Sequence, residues 1–125
     1  MSENARIVRE FVQAWSRLDV DEIVGFFAED GVYHNMMNKP VAGRENLRAF
    51  IGGFVRGWTR TEWDLLNILS DGNLVVAERL DRTEVGGRRV ELPCCGVFEM
   101  KDGKIGVWRD YFDLATYTRA VTPSA

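Results

Sequence analysis

The chain changes its apolar period once, near its midpoint, and that change decides which folds are open to it. Up to residue 54 apolar side chains recur at spacings of three and four, the mark of helices buried along one face. Beyond residue 63 they alternate, as strands do. Ile7, Val8, Phe11, Val12, Ala14, Trp15 and Leu18 predict an amphipathic helix over Glu3 to Arg17, capped by Ser2. A second, shorter helix is expected over Val20 to Ala28. Asp19 caps it, Glu22 stands at its third position, Ile23, Val24, Phe26 and Phe27 are apolar, and Gly31 ends the helical region. A third runs from Arg44 to Phe54, with Leu47, Phe50, Ile51 and Phe54 on one face and Gly52 and Gly53 weakening its end. Between the second and third lie an extended stretch, Val32 to Met36, and a turn-rich segment from Asn38 to Gly43.

In the second half, Trp63 to Ser70, Asn73 to Val85, Arg88 to Met100 and Lys104 to Phe112 read as strands. Asp71-Gly72, Gly86-Gly87 and Asp102-Gly103 separate them, and such pairs supply the positive φ angles that tight hairpins need. Three hairpin signals in succession predict an antiparallel meander. Helices in front and an antiparallel sheet behind give an α+β fold in which the helices cover one face of the sheet. A sheet bent around them would enclose a cone-shaped cavity. A chain of 125 residues supports one core, so residues 1–125 are expected to form a single domain, with a frayed tail from Val121 to Ala125.

Composition closes off several functions. A net charge of -3 spreads no positive field for phosphate backbones, so nucleic acid is not an expected partner. No apolar run reaches membrane-spanning length, and the N-terminus lacks a basic start followed by an apolar stretch, so no membrane association and a cytoplasmic location are expected. The only two cysteines, Cys94 and Cys95, are adjacent and point to opposite faces of an extended chain. That excludes a disulfide framework, and two buried free thiols are expected. With one histidine and no zinc-ligand spacing, no metal site is expected.

Polar residues on the apolar faces of strands carry the functional signal. In the strand from Lys104, Trp108, Asp110 and Phe112 share a face, with Val107, Arg109 and Tyr111 opposite. A carboxylate among aromatic rings either finds specific partners or has its pKa raised, unless that face is simply exposed. In the strand from Asn73, Val75, Ala77, Arg79 and Asp81 share one side, and Val76, Glu78 and Leu80 the other. Arg79 is then near enough to bond Asp81 or a carboxylate on the next strand, and a plain surface ion pair has the same pattern. Tyr33 and Asn35 form a third pair on one side, able to orient a water molecule or to satisfy backbone groups at a turn. His34 points away from both and is assigned no chemistry, which leaves no serine or cysteine triad. No nucleophile elbow, phosphate loop or dinucleotide fingerprint is present.

Taken together, Tyr33-His34-Asn35-Met36, Glu78-Arg79-Leu80-Asp81 and Trp108-Arg109-Asp110-Tyr111-Phe112-Asp113 resemble the three motifs of the limonene-1,2-epoxide hydrolase family, in order and over nearly the whole chain. The resemblance implies a curved, mixed, mostly antiparallel sheet packed on N-terminal helices, closed into a cone-shaped barrel of NTF2-like and cystatin-like type with a deep pocket. It also implies a homodimer and a cofactor-free, one-step hydrolysis of a small epoxide to a vicinal diol. By motif, Asp110 is the base that takes a proton from water held also by Tyr33 and Asn35. Asp81, protonated, donates to the epoxide oxygen, and Arg79 bridges both acids. Trp108, Phe112, Leu80 or its neighbours, and the Leu92 to Phe98 strand are expected to form the apolar wall. Two departures from the family bear on the pocket edge. The chain enters its first helix without the leading segment of some members, and the Asp81 to Asp110 stretch is slightly short, with its slack at Gly86-Gly87.

Two other functions fit the same fold class. An isomerase or polyketide cyclase would use Tyr33 and a neutral Asp81 to stabilise an enolate, although Arg79 beside that acid favours its ionised form. A non-catalytic binding or dimerisation module would have no reason to gather Arg79, Asp81 and Asp110 in one cavity.

Overall fold

The computed structural model describes residues 2–122. Helices α1 (Glu3–Ala14), α2 (Val20–Val24) and α3 (Arg44–Val55) precede or interrupt the early strands β1 (Phe27–Asn35) and β2 (Val41–Ala42). The long strands β3 (Trp58–Asp71), β4 (Leu74–Val85), β5 (Arg88–Lys101) and β6 (Lys104–Phe112) follow, and α4 (Leu114–Val121) comes last. Ser2 accepts a hydrogen bond from the Ala5 amide at 3.1 Å and Asp19 one from the Glu22 amide at 3.2 Å, so both N-terminal caps act as their residue types dictate. A 3-10 turn at Trp15–Arg17 follows α1, and Leu18 in the left-handed region, φ 52, stops it.

The six strands form one sheet in the order β2-β1-β6-β5-β4-β3. Neighbours pair antiparallel except β1 and β6, which run parallel. Gly86 and Gly87, then Asp102 and Gly103, supply paired positive φ angles at two hairpins. The first hairpin closes Asp71 against Leu74, so its two-residue turn is Gly72-Asn73, one position later than the Asp71-Gly72 signal suggested.

Three expectations are corrected. The sheet is not a cone-shaped barrel: it is open and not strongly curled, with β2 and β3 at its two edges. Closure requires the edge strands to bond to each other, and β2 offers only two residues, both occupied by β1. The second helix ends at Val24 rather than Ala28, because Phe27 already pairs with Ile105 in the sheet. Gly31 accordingly ends no helix and lies within β1, at a shift of register between Phe27 and Val32. A Cβ there would lie 2.9 Å from the Ala28 carbonyl and 3.1 Å from that of Ile105, so the close backbone approach admits only glycine.

β2 and α4 were not expected. Asp113 caps α4, accepting from the Ala115 amide at 3.3 Å and from the Thr116 hydroxyl at 2.8 Å. Tyr117, Ala120 and Val121 then pack over a satellite cluster of Val90, Leu92 and Cys94. The frayed-tail expectation therefore fails at Val121; residues 123–125 lie outside the described residues.

The main core lies between the helices and one sheet face, with Phe11, Trp15, Ile23, Phe27, Leu47, Ile51, Phe98, Ile105 and Trp108 fully buried. Trp108 is its hub: Phe98 and Tyr33 stack on it with ring centroids 5.6 and 4.2 Å away, and Phe11 meets it edge-on at 5.0 Å. This aromatic floor fixes the strands on which the polar residues stand.

Candidate active site

Strand parity delivers the polar side chains to the helix-covered face. Along β4 the buried positions are Val75, Ala77, Arg79, Asp81 and Thr83; along β6 they are Ile105, Trp108 and Asp110. The parallel register sets Tyr33 beside Trp108 and Asn35 beside Asp110. His34 lies beside Arg109 on the other face.

Arg79 is the centre of the cluster, with its side chain wholly buried. Its Nε donates to Asp81 Oδ1 at 3.0 Å and its Nη2 to Asp81 Oδ2 at 2.8 Å. Nη1 donates to Asp110 Oδ1 at 2.9 Å, and Nη2 also to Asp110 Oδ2 at 3.0 Å. One guanidinium thus holds two carboxylates by forked pairs of charge-assisted hydrogen bonds, a geometry only arginine supports. The guanidinium carbon lies 4.4 Å from the ring centre of Trp63, which covers it on one side, and 5.7 Å from that of Trp108.

Burial draws the Arg79 pKa down, but Asp110 and Asp81 overcome that pull and lift it well above its ordinary value, so it stays charged. Burial raises the Asp110 pKa above the ordinary aspartate value against the opposing pull of Arg79, and the charge of Asp81 adds to the rise. Tyr33 is pushed far up, by burial first and then by Asp110, and remains a neutral phenol able to donate.

Above this cluster lies a cavity of about 260 Å³. Tyr33, Asn35, Asp81 and Asp110 form its polar floor, and Phe50, Trp58, Trp63, Leu92, Phe112 and Tyr117 its apolar walls. A larger cleft, about 430 Å³, lies among Arg60, Glu62, Arg82, Glu84, Arg89 and Glu91, which are solvent-exposed or partly so and several of which pair with one another; the one buried polar side chain in its lining, Thr83, bonds to Thr61 at 2.7 Å. Among the described residues no three His, Cys, Asp or Glu side chains meet in a way that would hold a metal ion.

The cavity brings together Asp110, Asp81, Tyr33, Asn35 and Phe112, with Arg79 bonded beneath them. It leaves out two expected wall residues. Trp108 is fully buried under the floor, and Leu80 stands on the opposite face of β4 from Arg79 and Asp81. The two thiols also differ, since Cys94 is buried in the cavity wall while Cys95, across the sheet, is only partly buried. Sequence reasoning missed Trp63 and Gly96. Trp63 pairs with Asp81 in the β3–β4 register, and an aromatic of inward parity was its signal. Gly96 sits mid-strand opposite Asp110, where a Cβ would lie 2.8 Å from Trp108 Nε1 and 3.0 Å from Arg79 Nη1. A glycine inside a strand marks such a close approach.

The open mixed sheet backed by helices, with its cavity beside them, defines the NTF2-like class of α+β proteins. A structure of an NTF2-like protein of unknown function from Burkholderia pseudomallei, 22% identical, superposes with a TM-score of 0.86 over 98% of this chain and 100% of that one. The family is narrower: the family model for the limonene-1,2-epoxide hydrolase catalytic domain matches residues 2–122, and the chain belongs to that family. Epoxide hydrolase EphG of Mycobacterium tuberculosis is 34% identical over 107 residues, 86% of this chain and 71% of that protein. The structure of an LEH-like epoxide hydrolase from M. tuberculosis, 32% identical, has a TM-score of 0.81 over 95% of this chain and 89% of that one. The protein is an enzyme that opens an epoxide with water.

Gly96→Ala tests how tightly the site is built. The added methyl group forces Arg79 and Trp108 apart, so a loss of about 1–3 kcal/mol in unfolding free energy is expected together with a drop in diol formation. Wild-type values in both measurements would show that the floor repacks freely.

Proposed function

We propose that the enzyme hydrolyses a small apolar or cyclic epoxide to a vicinal diol in one general acid/base step, without a cofactor and without a covalent intermediate. The observation that carries this reading is the single buried guanidinium shared by two carboxylates at the floor of an apolar cavity. With both acids ionised the trio would carry a net negative charge away from water, which favours retention of one proton between them. One acid and one base at neutral pH is the result.

Asp110 is assigned as the base by its place in the third family motif and by its position beside Asn35 and Tyr33 at the cavity floor, where all three can hold one water. Water hydrogen-bonded to Asp110, Asn35 and the Tyr33 phenol loses a proton to Asp110 as its oxygen attacks an epoxide carbon. The carbon–oxygen bond breaks, and Asp81 gives its proton to the departing oxygen. Proton return from Asp110 to Asp81 then resets the pair. Phe112 and the aromatic walls exclude water and receive the apolar part of the substrate.

Residues 1–125 are read as one domain. The free thiols Cys94 and Cys95 fit a reducing compartment such as the cytoplasm. Leu66, Leu69 and Leu74, exposed on β3 and at the start of β4, offer an apolar contact for a homodimer. Sedimentation should give twice the 14.2 kDa chain mass, and a monomer at high concentration removes the dimer from the reading.

Asp110→Asn and Asp81→Asn should each lower diol formation from cyclohexene oxide or limonene oxide by about 100-fold or more. Full activity in either variant removes the role assigned to that residue. A single turnover in heavy-oxygen water should place the label in the diol. If the first turnover instead delivers oxygen from the protein, an ester intermediate has formed.

The pH profile follows from the sign of the Asp110 shift. Its base form is lost as pH falls through its pKa, so the acid limb of kcat/KM should lie above the ordinary aspartate value. An acid limb at or below the ordinary value contradicts Asp110 as the base.

A further inference from the structure

The mechanism above leaves one buried polar group of the cavity unused, the thiol of Cys94. It stands on β5 directly opposite Arg79 in the β4–β5 register, 5% exposed. Its Sγ lies 3.4 Å from Asp81 Oδ2 and 3.4 Å from the Leu92 carbonyl oxygen. A thiol has one proton and a low barrier to rotation about its C–S bond, so it can donate to only one of these acceptors at a time.

We propose that Cys94 is a positioning residue for the acid Asp81, a rotor whose S–H turns from the Leu92 carbonyl to Asp81 Oδ2 as the epoxide opens. This rests on the reading of Asp81 as the acid. While Asp81 carries its proton, its oxygens are weak acceptors and the Leu92 carbonyl is the better partner. When that proton passes to the epoxide oxygen, a full carboxylate appears inside a cavity with little water, and a charged acceptor there draws the nearest free donor. Arg79 already donates to both oxygens of Asp81. The Cys94 S–H is the added donor that responds to the change of charge.

No sulfur bond forms and the thiol gives up no proton. Burial, and next the charge of Asp81, push its pKa far above that of an ordinary thiol, so it remains S–H throughout. A donor made stronger by the product state than by the reactant state lowers the barrier, because its interaction grows along the reaction. The titratable groups facing this pair are Arg79, on the same strand as Asp81, Asp110 from β6, Tyr33 from β1 and Tyr117 from α4.

The test combines a vibration with kinetics. In a Cys95→Ala background Cys94 is the only thiol, and its S–H stretching band falls in a region free of other protein bands. Replacing Asp110 by Asn in that background leaves Asp81 as the one acid beside the Arg79 guanidinium, so the S–H should turn to it and the band should move, whereas Asp81→Asn should leave the thiol on the Leu92 carbonyl and the band in place. Cys94→Ala and Cys94→Val should each lower kcat about five- to tenfold with little change in KM, and Cys94→Ser, which keeps a donor, should recover most of the loss. Valine restores the volume without the donor, so a packing role alone would leave Cys94→Val near wild type and contradict the proposal. Equal kcat for the Ala and Ser variants, or a band indifferent to Asp110→Asn, overturns it. If Asp81→Asn abolishes turnover while Cys94→Ala keeps full kcat, this inference fails and the acid/base reading stands. If Asp81→Asn is fully active, both fail.

Discussion

The bidentate grip of Arg79 on Asp81 and Asp110 is the interaction on which the rest of the molecule depends. Three ionisable side chains lie almost fully out of water, and each taken alone would cost several kcal/mol to keep charged. Four short hydrogen bonds and a covering indole make the group tolerable, and none of these contacts is local in sequence except that between Arg79 and Asp81. Such an ion cluster is weak support for stability, since a hydrophobic replacement of the same volume often serves as well. On the proposed reading, the cluster is kept for its chemistry.

The fold is arranged to bring those groups together without strain. β5 runs between β4 and β6, and Gly96 provides the gap through which Arg79 reaches Asp110 across it. Trp108 carries the aromatic stack under the floor, while Tyr33 both joins that stack and presents its phenol to the cavity. The Trp58 indole donates to the Tyr117 hydroxyl at 3.3 Å, tying α4 to β3 beside the same cavity. Rigid packing below and a short helix at the rim give a cavity with a fixed polar floor and apolar walls.

Much of the site was legible because its residues break the alternation of their strands. Arg79 and Asp81 stand among Val75 and Ala77, and Asp110 stands between Trp108 and Phe112, so inward parity alone flags them as anomalous. Leu80 shows the limit of motif reading, because it lies between two site residues and parity puts it on the far face. The α2 boundary was misread because Phe26 and Phe27 continue a helical apolar period while long-range pairing to Ile105 claims Phe27 for the sheet. α4 went unread although Asp113 caps it, and Leu114, Tyr117 and Val121 recur at helical spacing, because its helix exposes most of its surface and buries no residue fully.

The sequence by itself determined the α+β class, the presence of three hairpins and the face on which each polar residue lies, because period and turn chemistry are properties of neighbours along the chain. Only the tertiary structure decided that the sheet stays open, that β1 runs parallel to β6 and brings Tyr33 and Asn35 to Asp110, and that Gly96 and Cys94 belong to the site. Those outcomes depend on register and on which strand lies next to which. They are set by the packing of Trp108 and the helices against the whole sheet, a long-range balance that no local pattern encodes.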